Sequence, residues 1–238
     1  TTAATYPTPC PPGSYQPLTG QTSCLLASPG YYVDTTGSDV QTPCPEGTYN
    51  PQNGSSTQAD CVEADIGYHV PYEGSANQSE CLAGTFQNVT GQSSCIPAEP
   101  GYYVPSNASW FQVGCTAGTY QSNYGQVNCT DASPGYHVPN HASASQTECS
   151  LGSYQPSSGQ TSCILASIGY YVDIPSSTNQ TACPSGTSTT STGSISIDEC
   201  YIDTDDDGVP DITDPDDDND GYLDYVDDFP LDPTEWID

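Results

Sequence analysis

The chain has 238 residues, no Lys, no Arg and no Met, and a formal net charge of −30. Nothing in it can neutralise phosphates, which excludes nucleic-acid binding and disfavours direct binding to anionic lipid; cations are the expected partners. Hydrophobic residues make up 34%, a share that includes 12 Cys and 18 Tyr, so few aliphatic side chains remain for a conventional core and disulfides are expected to take its place.

Residues 1–9 are Thr-rich, uncharged and outside any cysteine pair, and read as an N-terminal arm. The segment has neither a basic region nor an apolar one, and the sequence does not start with Met. The expected form is therefore a mature chain whose secretory signal has been removed. No stretch approaches the roughly 18 consecutive apolar residues of a membrane span, so no anchor and no membrane insertion are expected.

Residues 10–202 are an internal repeat. The cysteines stand at Cys10, Cys24, Cys44, Cys61, Cys81, Cys95, Cys115, Cys129, Cys149, Cys163, Cys183 and Cys200. Successive gaps of 14 and 20 give a period of 34, and two gaps of 17 mark three-residue insertions. Each period splits into two units of 17. One kind reads Cys-x-x-Gly-x-Tyr…Gly…Cys, as from Cys10; the other reads Ala-x-x-Gly-Tyr-Tyr-Val, as from Ala27. With the glycines aligned, Ala27, Ala64, Ala98, Ala132 and Ala166 replace the first Cys, and Gln41, Gln78, Gln112, Gln146 and Gln180 replace the second.

Two positions fourteen apart are thus Cys together or non-Cys together. Loss in pairs is what bonded partners require, because an orphan thiol would be reactive. The pairing read from this is Cys10–Cys24, Cys44–Cys61, Cys81–Cys95, Cys115–Cys129, Cys149–Cys163 and Cys183–Cys200. Each bridge closes a loop of about 15 residues, valued at roughly 3 kcal/mol by the chain-entropy account. In the other units Gln is expected to fill the space left by Ala and to hydrogen-bond nearby backbone; the alternative is that Ala and Gln are tolerated filler.

Gly13, Gly30, Gly47, Gly67, Gly84, Gly101, Gly118, Gly135 and Gly152 share one phase, which suggests a turn needing φ > 0 or a close backbone approach. Two residues later comes a ring: Tyr15, Tyr32, Tyr49, Phe86, Tyr103, Tyr120, Tyr154 or Tyr171. A ring every 17 residues suggests a stacked ladder, and the Tyr-Val and Tyr-Gln pairs read as very short strands. His69 and His137 hold the ring position and His141 lies in a loop, so the histidines assemble no catalytic group.

The run Cys44-Pro45-Glu46-Gly47-Thr48-Tyr49, followed by Gly and a closing Cys, resembles the cysteine-rich modules of tumour-necrosis-factor receptors and ephrin-receptor-like repeats. The resemblance covers about residues 10–202. It implies an elongated rod with little secondary structure and a one-to-two disulfide in each module. The absence of alternate disulfides departs from those families, so architecture carries over and ligand binding does not.

Residues 203–238 hold 16 of the 30 acidic residues. Asp203 to Asp214 reads DTDDDGVPDITD, and Asp216 to Asp227 reads DDDNDGYLDYVD. Both match a twelve-residue calcium loop. Asp203, Asp205 and Asp207 fall at positions 1, 3 and 5, Gly208 at 6, the Val209 carbonyl at 7, and Asp211 and Asp214 at 9 and 12. Asp216, Asp218, Asp220, Gly221, Tyr222, Asp224 and Asp227 take the same places in the second loop. Hard oxygen donors at this spacing suit Ca²⁺. Position 12 is Asp, and no amphipathic helices flank the loops, so the segment resembles thrombospondin type-3 repeats of secreted and microbial surface proteins more than an EF-hand. The alternative of a disordered acidic tail is opposed by the regular glycines and by Val209, Ile212, Leu223, Val226, Phe229 and Trp236. Without metal, repulsion among the carboxylates is expected to unfold the segment.

Asn53, Asn77, Asn88, Asn107, Asn128 and Asn179 lie in Asn-x-Ser/Thr sequons and are candidate glycosylation sites. The expected fold is small and disulfide-rich, mostly irregular with short β-strands: an elongated rod of about eleven stacked 17-residue units plus a calcium-loop tail. The expected protein is extracellular or cell-surface and not an enzyme. It is read as a calcium-stabilised subunit of a head-to-tail filament joined through residues 1–9 and the apolar Phe229, Leu231, Trp236 and Ile237; the alternative is a stalk or ectodomain of a surface adhesin or receptor-like ligand-binding protein.

Overall fold

A computed structural model of the chain describes residues 8–235. The Trp236 and Ile237 contacts expected above, and most of the N-terminal arm, lie outside the described residues. The chain divides into two compact units. The first runs to Val113 and takes in Asn123–Asn128; the second holds Gly114–Ser122 and runs on from Cys129.

The same local turn builds both. Pro11 accepts from the Ser14 N–H at 3.1 Å, and Pro45 from the Thr48 N–H at 3.1 Å. The third residue of each turn is Gly13 or Gly47, at φ +85° and +80°, where a type II turn requires a residue free to adopt positive φ. Each turn feeds a strand, usually of two residues, that pairs with the next strand in the chain, giving eleven two-stranded sheets among the described residues. In the second unit, for example, Ser153–Tyr154 pairs antiparallel with Ile164–Leu165. Helix is confined, among the described residues, to two single 3₁₀ turns, Gln58–Asp60 and Ile197–Glu199. These are the three-residue insertions, since they lie within the two cystine loops whose cysteines are 17 apart. No helix of the described residues is long and apolar enough to cross a membrane.

The six disulfides join consecutive cysteines, Cys10–Cys24, Cys44–Cys61, Cys81–Cys95, Cys115–Cys129, Cys149–Cys163 and Cys183–Cys200, and so follow the pairwise pattern of the sequence. In the five units without a cystine, Gln occupies the gap. Gln41, Gln78, Gln112, Gln146 and Gln180 accept through Oε1 from the N–H of Ser28, Asp65, Glu99, Ser133 and Ser167, at 2.7–2.8 Å. Ala27, Ala64, Ala98, Ala132 and Ala166 are fully buried beside them. A short hydrogen-bonded bridge thus spans the place where a covalent one stands in the neighbouring unit.

Backbone bonds stack one 17-residue unit on the next. In the first unit of the chain's division, the Gly47 N–H donates to Val70 O at 2.9 Å, the Asn50 N–H to Ser75 O at 3.1 Å, and the Gly74 N–H to Cys44 O at 2.8 Å. The second repeats this from Gly118 to Val138 at 2.8 Å, Gln121 to Ser143 at 3.1 Å, and Ala142 to Cys115 at 2.8 Å. Gly47 also lies so close to the Gly91 carbonyl that a Cβ would collide with it.

The residue three after each turn glycine faces inward. It is Val33, Val70, Val104, Val138 or Val172 in the Ala/Gln units, all buried. In the cystine units it is most often a buried amide, such as Asn50, Gln87, Gln121 or Gln155. The amides are satisfied locally: Gln155 donates to Ser162 O at 2.8 Å and accepts from the Ser157 N–H at 3.1 Å. The expected ring-on-ring ladder does not form. Among the described residues the ring pair in contact is Trp110–Phe111, at 4.9 Å, and the ladder positions stack on no other ring. Each ladder ring sits one residue before the inward residue, and neighbouring side chains of an extended strand face opposite sides. Val, Cys, Ala and amide side chains therefore make the core. Where His holds the ring position it lies on sulfur, His69 Nδ1 at 3.2 Å from Cys95 Sγ and His137 Nδ1 at 3.2 Å from Cys163 Sγ.

Candidate metal centre

The segment from Asp203 to Asp227 folds as two copies of one loop. Asp at position 1 turns a carboxylate oxygen back onto the glycine at position 6: the Gly208 N–H donates to Asp203 Oδ2, and the Gly221 N–H to Asp216 Oδ2, both at 3.2 Å. Position 3 accepts from the N–H of position 5, in Asp205–Asp207 at 3.0 Å and Asp218–Asp220 at 3.2 Å. Position 5 accepts from position 7, Val209 onto Asp207 at 2.8 Å and Tyr222 onto Asp220 at 2.7 Å. The chain bends through positive φ at Asp206 (+59°) and Gly208 (+96°), and again at Asn219 (+54°) and Gly221 (+96°). Asp, Asn and Gly are the residues that tolerate that region.

Each of these carboxylates commits one oxygen to its own backbone; the second oxygens of Asp205 and Asp207 take up the Asn219 amide. Oxygens of Asp203, Asp205 and Asp207 lie within 4.8 Å of one another, as do those of Asp216, Asp218 and Asp220. Asp203 Oδ1, Asp216 Oδ1, Asp218 Oδ2 and Asp220 Oδ2 are buried without a hydrogen-bond partner, and so is Asp227 Oδ2. Asp203, Asp218 and Asp227 are 4%, 5% and 8% exposed. Burial pushes the Asp203 carboxyl above its ordinary range. Burial also raises Asp218, and the charges of Asp220, Asp227 and Asp216 add to the effect. Buried carboxylates need a compensating charge, and the chain has no Lys or Arg to provide one.

The other expected aspartates each give one oxygen to a backbone N–H. Asp211 and Asp224, at position 9, accept from the N–H of position 2, Thr204 at 2.9 Å and Asp217 at 2.8 Å, and so brace the loops from outside the triads. Asp214 accepts from the Asp216 N–H at 3.1 Å, joining the loops. Asp227, in the matching place, accepts from the Phe229 N–H at 2.8 Å. Val209 and Tyr222 are exposed at position 7. The sequence pattern overlooked two groups. Asp217, at position 2, has a buried, unpartnered Oδ1; burial first, then the charges of Asp224, Asp211 and Asp214, raise its carboxyl to about 6. Asn219 reaches out of the second loop onto Asp205 and Asp207 of the first. Position 2 and position 4 carry no ligand in the twelve-residue pattern, so neither residue gave a signal there.

The donor set is all oxygen and strongly anionic, which fits Ca²⁺ and not a soft metal. His69 and His137 each sit near two Cys sulfurs, but those sulfurs are bonded in disulfides and offer no thiolate. His141 is exposed, and so are all six sequon asparagines.

A family model described as tyrosine-protein kinase ephrin type A/B receptor-like matches residues 135–183. None of the curated proteins compared with the chain matches it. The matched stretch contains the Cys149–Cys163 bridge. With six disulfides in repeated units, the match marks a cysteine-rich repeat of extracellular or surface type, in a receptor-like or structural domain.

Proposed function

We propose that the protein is an extracellular structural protein whose acidic C-terminal segment is held by calcium. The observation that carries this is a set of buried, unpartnered carboxylate oxygens in a chain with no Lys or Arg. Asp203, Asp205 and Asp207 would hold one ion, and Asp216, Asp218 and Asp220 another, with Asp227 beside the second. The ion supplies the positive charge that the sequence lacks. The disulfide repeats are the load-carrying part, stacked by a recurring set of backbone bonds to which side chains add, as the Thr90 hydroxyl does on Glu63 at 2.8 Å.

In this reading the chain assembles head to tail into a filament. Thr8, Pro9, Gln16, Gln21 and Ser38 line an open groove at the first repeat, and Leu231 is exposed near the other end of the described chain. In this proposal the groove receives an extended segment of the next copy. A contact between unlike ends propagates into a fibre unless it closes into a ring. The ephrin-receptor-like match favours a second reading, an ectodomain or stalk of a surface protein. Sedimentation of the purified chain at high concentration decides between them. Assemblies that need Ca²⁺ and dissolve in chelator support the filament; a monomer at every concentration in Ca²⁺ leaves the ectodomain. Glycosylation at the exposed sequons is part of the same proposal and would show as mass added at those asparagines.

A further inference from the structure

Asn219 belongs to the second acidic loop, yet its side chain lies in the first. Its Nδ2 makes a hydrogen bond to Asp205 Oδ2 and a second contact to Asp207 Oδ2 at 3.4 Å. Those are the second oxygens of two carboxylates whose first oxygens are fixed by the Asp207 and Val209 N–H groups. The third member of that cluster, Asp203, is 4% exposed and keeps a buried Oδ1 with no partner. The first loop is thus a three-carboxylate centre with an orphan oxygen, and an amide from the next loop sits on its open side.

We propose that Asn219 completes the first loop's cation site, turning its amide oxygen toward an ion held by Asp203, Asp205 and Asp207, and thereby couples the two sites. The inference rests on the calcium reading above. An Asn amide carries donor and acceptor on one planar group, so a half-turn about its last bond replaces the NH₂ by the oxygen. Ca²⁺ takes six to eight oxygens, amide carbonyls among them, which three aspartates alone do not supply. A neutral oxygen also adds a ligand without adding to the repulsion of three carboxylates. Asn219 is placed by the turn of the second loop, whose geometry is set by the Gly221 N–H on Asp216. An ion that fixes the second loop therefore fixes Asn219 over the first. By linkage, the first ion favours the second equally.

The test is a Ca²⁺ titration of the full chain by calorimetry, with the Gly208 and Gly221 amide NMR signals reporting each loop. Asn219→Gly removes the amide and keeps a residue suited to φ +54°; Asn219→Asp keeps an oxygen in place. Asp206→Asn, at the matching position of the first loop, is the control. The wild type is expected to fill both loops cooperatively. Asn219→Gly should weaken the Gly208-reported site by roughly tenfold, within the usual span of coupling effects, and abolish cooperativity. Asn219→Asp should restore first-site affinity, and Asp206→Asn should leave cooperativity unchanged. If Asn219→Gly binds like the wild type, or if Asn219→Asp is as weak as Asn219→Gly, the inference is wrong while the calcium reading stands. A wild-type chain that takes up no Ca²⁺ overturns both.

Discussion

Gln146 and Ala132 stand where a cystine unit has its two sulfurs, and the Gln side chain spans the gap to the Ser133 N–H at 2.7 Å. The interchange should work in reverse. Ala132→Cys with Gln146→Cys is expected to form a seventh disulfide, because bonded pairs 14 apart elsewhere in the chain have Cα atoms 5.7–5.8 Å apart. Non-reducing peptide mapping should show the new bridge, with a gain of up to about 3 kcal/mol in unfolding; two titratable thiols would contradict it. Gln146→Ala alone should lose about 1 kcal/mol, the usual net worth of one such bond. Gly47→Ala should cost more than about 1 kcal/mol, since Gly47 combines φ +80° with the Gly91 carbonyl at its Cα. The role of Gln146 was legible because Cys and non-Cys alternate in matched pairs. The buried Gln87 and Gln121 were not, because a lone polar residue in a polar sequence carries no mark of burial.

The two acidic loops have a stability that depends on pH through their carboxylates. Asp203, Asp217 and Asp218 are all raised above the ordinary Asp range. The folded, ion-free segment therefore binds protons more readily than the unfolded one, and its stability falls as pH rises. In chelator, the segment should be most ordered below about pH 4 and should loosen as pH climbs past 6, the value reached by Asp217. Amide hydrogen exchange of residues 203–227 would follow this directly. Added Ca²⁺ should reverse the trend, since ionised carboxylates bind it best; protection that rises with pH in chelator would refute the assignment. At this scale the clustering of each triad's oxygens was legible in the sequence, because their 1-3-5 spacing is local. The bonds of Asp211 and Asp224 to the position-2 N–H groups were not legible in it, because only the folded turn brings position 9 to that backbone.

Across the chain, local signals were read more successfully than contacts between units. Turn glycines, cystine pairs and the 3₁₀ insertions all lie within one 17-residue unit and follow from spacing. The ring ladder was misread because a shared phase says that side chains are equivalent, not that they touch. The acidic segment adds a dependence that spacing did not reveal. Its first loop is built on the last cystine unit: the Asp203 N–H donates to Gly186 O at 3.1 Å, the Asp211 N–H to Ile202 O at 2.9 Å, and the Ser188 hydroxyl to Gly208 O at 3.2 Å. Thr187–Thr189 and Cys200–Ile202, the strands beneath those contacts, are held by the Cys183–Cys200 bridge. The second loop is tied within the acidic segment, as by the Asp224 N–H on Pro215 O at 3.0 Å. Replacing both Cys183 and Cys200 by Ser should therefore free the hairpin and weaken Ca²⁺ binding at the first loop more than at the second. The Gly208 amide signal should need more Ca²⁺ to shift, with the Gly221 signal changing less and only through coupling. Equal weakening of both loops would mean that the bridge acts on the segment as a whole, and no weakening would mean that the first loop folds without its support.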